Sequence, residues 1–188
     1  EDWSAKVDVD WMPSPDHLVK FGIGDIYHTF TPGINQFQFS QTGNSALDTT
    51  FGAQKHYAHE VAAYLEDDWT VNDKLKGNGG IHYSTFFVGD KQYSSFQPRI
   101  SFRYLIDQKS SFKMGYAKMG QFLHLLTNSG IGLPTDLWVP ATEKIKPQFS
   151  DQIAAGYART FNDKIEVSLE GYYKTMDNLI EYKDGASF

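Results

Sequence analysis

Trp3-Ser4-Ala5-Lys6-Val7-Asp8-Val9-Asp10-Trp11 decides the reading of this chain, because every odd position is apolar and every even position polar. An extended backbone sends successive side chains to opposite faces, so the stretch predicts a β-strand with one apolar and one polar face. Residues 13–16, Pro-Ser-Pro-Asp, then make a turn. A second strand follows, in which Val19, Phe21 and Ile23 alternate with Lys20, Gly22 and Gly24.

The pattern returns beyond residue 55. Val61, Ala63 and Leu65 alternate with Ala62, Tyr64 and Glu66, running on to Trp69 and Val71. Asp67 falls on the apolar face, a break for which a β-bulge is the expected remedy. After the turn Asn72-Asp73-Lys74 come Leu75, Gly77, Gly79, Ile81, Tyr83, Thr85 and Phe87. Ile100, Phe102, Tyr104 and Ile106 follow, opposed by Arg99, Ser101 and Arg103. The turn Asp107-Gln108-Lys109 leads to Phe112, Met114 and Tyr116. Ile153, Ala155 and Tyr157 are joined through Asn162-Asp163-Lys164 to Ile165, Val167, Leu169, Gly171 and Tyr173. About eight strands result, most near the roughly 9–11 residues that a tilted membrane strand requires.

Tight turns at residues 13–16, 72–74, 107–109 and 162–164 take turns with longer links at 29–55, 88–95 and 120–150. In an up-and-down antiparallel sheet this puts all tight turns at one end and all long loops at the other, the asymmetry of outer-membrane barrels. Trp3, Trp11, Tyr27, Trp69, Phe87 and Tyr104 stand on the apolar face near strand ends, where a barrel carries its aromatic girdles. The charges Lys6, Asp8, Asp10, Glu60, Glu66, Arg99, Arg103, Lys113, Glu166, Glu170 and Lys174 share the other face, which in a barrel lines a wet lumen.

Composition agrees without deciding. Aromatic residues make up 15% and charged residues 21%, with a mean hydropathy of −0.45, averages that fit a soluble β-protein as well as a barrel. No apolar run approaches the roughly 18 residues of a membrane helix. The absence of cysteine removes disulfides, thiolate zinc sites and cysteine nucleophiles, and a net charge of −6 argues against nucleic-acid binding. No signal peptide precedes Glu1, so targeting information is expected to be processed off or to lie outside this segment.

From about residue 57 onward the sequence resembles TonB-dependent receptors of Bacteroidetes-type bacteria. The likeness rests on Tyr64-Leu65-Glu66-Asp67-Asp68-Trp69 with the Asn72-Asp73-Lys74 turn, on Ser95-Phe96-Gln97-Pro98-Arg99-Ile100-Ser101, and on Tyr116-Ala117-Lys118-Met119. It continues in His124-Leu125-Leu126-Thr127-Asn128-Ser129-Gly130, Leu133-Pro134-Thr135-Asp136-Leu137-Trp138-Val139-Pro140, Lys144-Ile145-Lys146-Pro147-Gln148 and Glu170-Gly171-Tyr172-Tyr173-Lys174. The stretch from His124 to Gln148 is the most specific. The resemblance implies a gated importer: a barrel of about 22 strands whose lumen is plugged by an N-terminal domain. Such a protein takes up iron chelates, cobalamin or glycans on energy transmitted by TonB. It also implies that 1–188 is a single barrel segment without the plug or TonB contact, ending at Gly185-Ala186-Ser187-Phe188 in an extracellular loop.

Candidate sites are few. His28, His56 and His59 invite a metal, but their spacing matches no ligand motif, and no metal or cofactor is assigned. Asp136 and Trp138 are candidate ligand contacts in the 120–150 loop; Trp138 would stack on a ligand ring, although the flanking Pro134 and Pro140 favour packing the loop into a cap. Arg99, Arg103 and Lys113 face one way on neighbouring strands and would attract an anionic ligand, unless they pair with Glu60, Glu66, Asp68 or a plug. No catalytic motif occurs, and the adjacent Asp67 and Asp68 point to opposite faces, so they form no dyad.

The resulting expectation is all-β: an antiparallel up-and-down transmembrane β-barrel, about eight strands of a larger one, in the bacterial outer membrane. Its partners would be outer-membrane lipid and a small-molecule or oligosaccharide ligand, with TonB reached only through the plug and no nucleic acid involved. The alternative is an autonomous eight-stranded outer-membrane protein with a structural or adhesive role. A soluble binding protein would instead turn the Trp3–Trp11 face into a core.

Overall fold

The computed structural model describes residues 1–30, 35–39, 47–51, 55–126 and 137–180. Eight long strands form one antiparallel sheet: β1 (Asp2–Ser14), β2 (His17–Phe30), β5 (His56–Thr70), β6 (Leu75–Val88), β7 (Lys91–Leu105), β8 (Ser110–Gln121), β11 (Gln148–Phe161) and β12 (Ile165–Asp177). They lie side by side in chain order, and the edge strands β1 and β12 do not pair with each other. Two small hairpins sit in the connections, β3 (Asn35–Phe39) with β4 (Leu47–Phe51), and β9 (Leu123–Leu126) with β10 (Leu137–Pro140). No helix occurs among the described residues.

The register shows which way the faces point. Trp3, Tyr27, His59 and Phe87 stand in one cross-strand row, while Trp69, Gly77, Phe102 and Met114 stand in another nearer the tight turns. On strands flanked on both sides, Leu65, Ile81 and Ile100 of the apolar face are 54%, 45% and 41% exposed, like Trp3 and Trp11 on the edge strand, so the apolar face is the outer surface and the soluble-core reading fails. Trp3 and Trp11 lie eight residues apart, which at about 3.3 Å per residue and a tilt near 40° is roughly 20 Å, close to the apolar band of a barrel. The polar face lines hollows of about 590 and 540 Å³.

Local chemistry explains the tight ends. Asn162 and Asp163 both have positive φ (50° and 56°), and the Lys164 N–H donates to the Phe161 carbonyl at 3.1 Å. That is the turn whose twist suits a hairpin, and Asn and Asp tolerate it. At the β5–β6 and β7–β8 ends, Asn72 Oδ1 accepts the Lys74 N–H at 2.9 Å, and Asp107 Oδ1 accepts the Lys109 N–H at 2.7 Å.

Three expectations need correcting. The 88–95 link is no loop: β6 ends at Val88, β7 starts at Lys91, and Gly89, at φ 54°, lets the chain turn in two residues. Its alternation is disguised by Ser94 and Ser95, and its ladder to β8 stops at Arg99, next to Pro98, which has no N–H to donate. Asp67 sits on no bulge, since the β2–β5 and β5–β6 registers run unbroken past it; it stays on the outer face and binds His17 Nδ1 at 2.7 Å. The 120–150 connection contains ordered structure, the β9–β10 hairpin, which folds back onto the polar face. The predicted loop at 185–188 lies outside the described residues.

Candidate functional site

The polar face divides into two electrostatic halves. On β1, β2 and β5 most of the charges are paired. Lys6 meets Asp8 at 3.0 Å, and the Tyr64 hydroxyl donates to Asp8 at 2.6 Å, its ring lying over Gly22 where any Cβ would collide. Lys20 reaches Asp68 at 3.0 Å and Glu66 at 3.7 Å, and Asn78 donates to Asp68 at 2.7 Å. His28 is buried between Asp2, at 3.0 Å from Nδ1, and Glu60, at 3.8 Å from Nε2.

On the polar face of β6, β7 and β8 the charges are basic and, apart from Lys91 at the loop end, unpaired. Arg103 stands opposite Lys76 on one side and Lys113 on the other, so three cations share one cross-strand row close to the tight turns. Arg99 stands one row further up but one, opposite Gly80 and Ala117. None of these four makes an ion pair among the described residues. The carboxylates expected to neutralise Arg99, Arg103 and Lys113 are engaged elsewhere: Asp68 and Glu66 by Lys20, Glu60 by His28. The 590 Å³ hollow is bordered by Lys76, Arg103 and Lys113, with Glu170 on its far side. Unpaired cations at a concave surface concentrate anions.

Trp138 lies in β10, opposite Leu125 of β9, and is 56% exposed. It is Pro140, not Trp138, that packs into the loop. Asp136 falls outside the described residues. His28 and His59 point to opposite faces, His28 towards Glu60 and His59 towards Asp25 at 3.3 Å, so the three histidines of the first loop cannot converge. Asp67 and Asp68 likewise serve opposite faces.

Lys76 and Lys20 were not among the candidate site residues, although the alternation that selects Arg99 and Arg103 selects both; His28 was considered only as a metal ligand. Also missed was the packing of the 120–150 connection. Phe86 of β6 and Phe122 stack at 5.2 Å with ring planes 5° apart, and Ala58 and Ala141 complete a closed cluster. His124 is 1% exposed beside it, with neither ring nitrogen hydrogen-bonded; burial holds its pKa below the usual histidine value, against an opposite pull from Gln148 and the Lys146 backbone.

Residues 2–188 match the family described as TonB dependent receptor-like, beta-barrel. No curated protein matches the chain. Among solved structures it is similar to the siderophore receptor PirA from Acinetobacter baumannii, at 16% identity and a TM-score of 0.62 over 92% of this chain and 26% of that one. It is similar to the copper transporter OprC, at 13% identity and a TM-score of 0.66 over 93% of this chain and 29% of that one. A mutant of the ferric enterobactin receptor PfeA from Pseudomonas aeruginosa gives 14% identity and a TM-score of 0.67, over 96% of this chain and 27% of that one. At such identities the likeness is one of fold, and the chain spans little more than a quarter of the length of each structure.

Proposed function

Because the chain belongs to the TonB-dependent receptor-like β-barrel family, we propose that it forms part of the wall of an outer-membrane importer for a scarce nutrient. The observation that carries this reading is the arrangement of the two faces. The outer face is exposed and apolar, while the inner face presents Lys76, Arg99, Arg103 and Lys113 without carboxylate partners. A ligand with anionic groups would meet Trp138 at the loop end and those cations further down. Iron chelates fit that order best, with cobalamin and glycans as the other classes. The role proposed is passage of the ligand along the polar face, in keeping with the family. Energy from TonB would arrive through a plug domain outside these residues.

The unpaired edges of β1 and β12 favour a wall section over an autonomous eight-stranded barrel, because an open edge leaves a row of backbone donors and acceptors that lipid cannot satisfy. The test is uptake by cells carrying the whole receptor, with labelled ferric chelates, cobalamin and oligosaccharides as probes, each with and without a protonophore. One probe should accumulate only in energised cells, and Arg99→Gln with Arg103→Gln and Lys113→Gln should slow it at least about tenfold. Unchanged uptake in the triple variant would remove the cations from the ligand's path. Energy-independent entry of every probe would overturn the importer reading itself.

A further inference from the structure

The connection between β8 and β11 crosses the polar face instead of standing clear of the barrel. Its first contact is the Phe86–Phe122 stack, and Phe86 is fully buried although its strand neighbour Phe87 is 42% exposed. The connection is then fastened along β7: the Tyr93 hydroxyl donates to the Thr142 carbonyl at 2.6 Å, and Lys91 pairs with Glu143 at 3.1 Å. Within it, the Ala141 N–H donates to the Phe122 carbonyl at 2.7 Å and the Ile145 N–H to the Thr142 carbonyl at 3.2 Å. At its far end Asn178, just past β12, donates to the Pro147 carbonyl at 2.9 Å. Among the described residues, all four fully buried hydrophobic side chains belong to this junction.

The hairpin is covered at its base and open further out. Phe122, His124 and Pro140 are buried and Leu123 is half-buried, with Phe122 and Leu123 packed against the wall cluster. Leu125 and Trp138, the cross-strand pair two residues further along, are 40% and 56% exposed. Since Phe86 belongs to the polar face, the hairpin's base is seated on that face, and the Leu125–Trp138 pair is left uncovered beyond it.

We propose that the base of this connection, residues 121–126 and 137–148, is a fixed internal shelf that narrows the passage and sets the size of what travels along the polar face. It is a permanent part of the wall and not a lid that swings aside. The word passage rests on the importer reading, but the shelf's fixity does not. Burying an aromatic pair and its alanines is worth far more than an exposed loop contact, so opening the shelf should be as rare as opening the strands beneath it.

Amide hydrogen exchange on the whole receptor in detergent tests this without any ligand. The Ala141 and Ile145 amides should exchange at least about 100-fold more slowly than in an unstructured peptide, alongside β6 and β7. Phe86→Ala should speed exchange across 121–126 and 137–147 at least about tenfold while β11 and β12 keep their protection. Tyr93→Phe, a milder change, should speed it at Thr142 and its neighbours only. Unprotected Ala141 and Ile145 in an otherwise protected wild-type wall would overturn the shelf. A shelf that stays protected in a receptor importing none of the probes would leave this inference standing and the importer reading fallen.

Discussion

The β6–β7 and β11–β12 hairpins are written in the same two-residue alternation, yet the first holds several of the best-buried described residues and the last strand of the second is exposed along its length. On β6, Ser84 and Phe86 are 1% and 0% exposed; on β12, every residue is exposed, with Leu169 at 75% and Tyr172 at 76%. The strands differ first in place, since β6 has a neighbour on each side whereas β12, like the equally exposed β1, is an edge strand. Cover differs as well: the shelf lies on the polar face of β6 and β7, and nothing described lies on β12. Burial in this wall therefore depends both on a flanking strand and on what is laid upon the sheet. Lipid covers the outer face, and side chains from loops cover parts of the inner one.

Truncating one aromatic in each hairpin breaks or sharpens this comparison most strongly. Phe86→Ala should cost about 3–5 kcal/mol, the usual loss for a buried phenylalanine, whereas Tyr172→Ala should cost less than about 1 kcal/mol. Denaturant titration of the whole receptor in micelles would measure both. An equal loss at Tyr172 would mean that the complete barrel covers β12 from within, and the contrast would vanish.

The next test turns from the inner face to the outer. Leu169 and Tyr172 are almost equally exposed on one strand but point to opposite sides. An arginine at the lipid-facing position should cost about 2–4 kcal/mol in vesicles, while Tyr172→Arg on the wet side should stay within about 0.5 kcal/mol. Urea unfolding from phospholipid vesicles reads the pair. Similar losses would show that the two faces are not lipid and lumen.

A smaller effect is expected where a side chain provides the cover. Trp69 lies over Gly77 and Gly79 on the outer face near the tight turns and meets Phe102 edge-on at 6.0 Å. A Cβ at Gly77 would fall 2.4 Å from the indole, so Gly77→Ala must push the ring away and should cost about 1–3 kcal/mol. In the background of Trp69→Ala the same substitution should be nearly free, a coupling that a double-mutant cycle would show.

Most of the wall was legible in the sequence, because Trp3 to Trp11 and their counterparts repeat a period that only a two-faced strand satisfies. Which face was outermost was legible only through inference from aromatic positions. The shelf was not legible at all: Phe122 and Ala141 come from a stretch with no period, and their partner Phe86 reads as one more polar-face position. The unpaired state of Arg103 and Lys113 was equally hidden. Sequence shows that Asp68 shares their face, but not that Lys20 of β2 reaches it first. Asp67 misled for the same reason, since its partner His17 lies fifty residues away.

The smallest effect belongs to the turns, where the two hairpin types again diverge. The β11–β12 turn relies on the positive φ of Asn162 and Asp163, but the β7–β8 turn relies on a charge. The Lys109 backbone N–H, first, and Ser110, next, hold the Asp107 carboxyl below the usual carboxylate range. A folded pKa lowered in this way contributes stability in full above the unfolded value of about 3.9, and the contribution is lost as pH falls through the folded value. Asp107→Asn keeps an acceptor for Lys109 but cannot titrate, so its stability should vary less with pH below about 4 than that of the parent. Denaturant midpoints taken between about pH 5 and pH 2.5 decide it. Parallel curves would mean that the carboxylate's charge adds nothing and that an Asx-type acceptor alone, as at Asn72, is enough to close the turn.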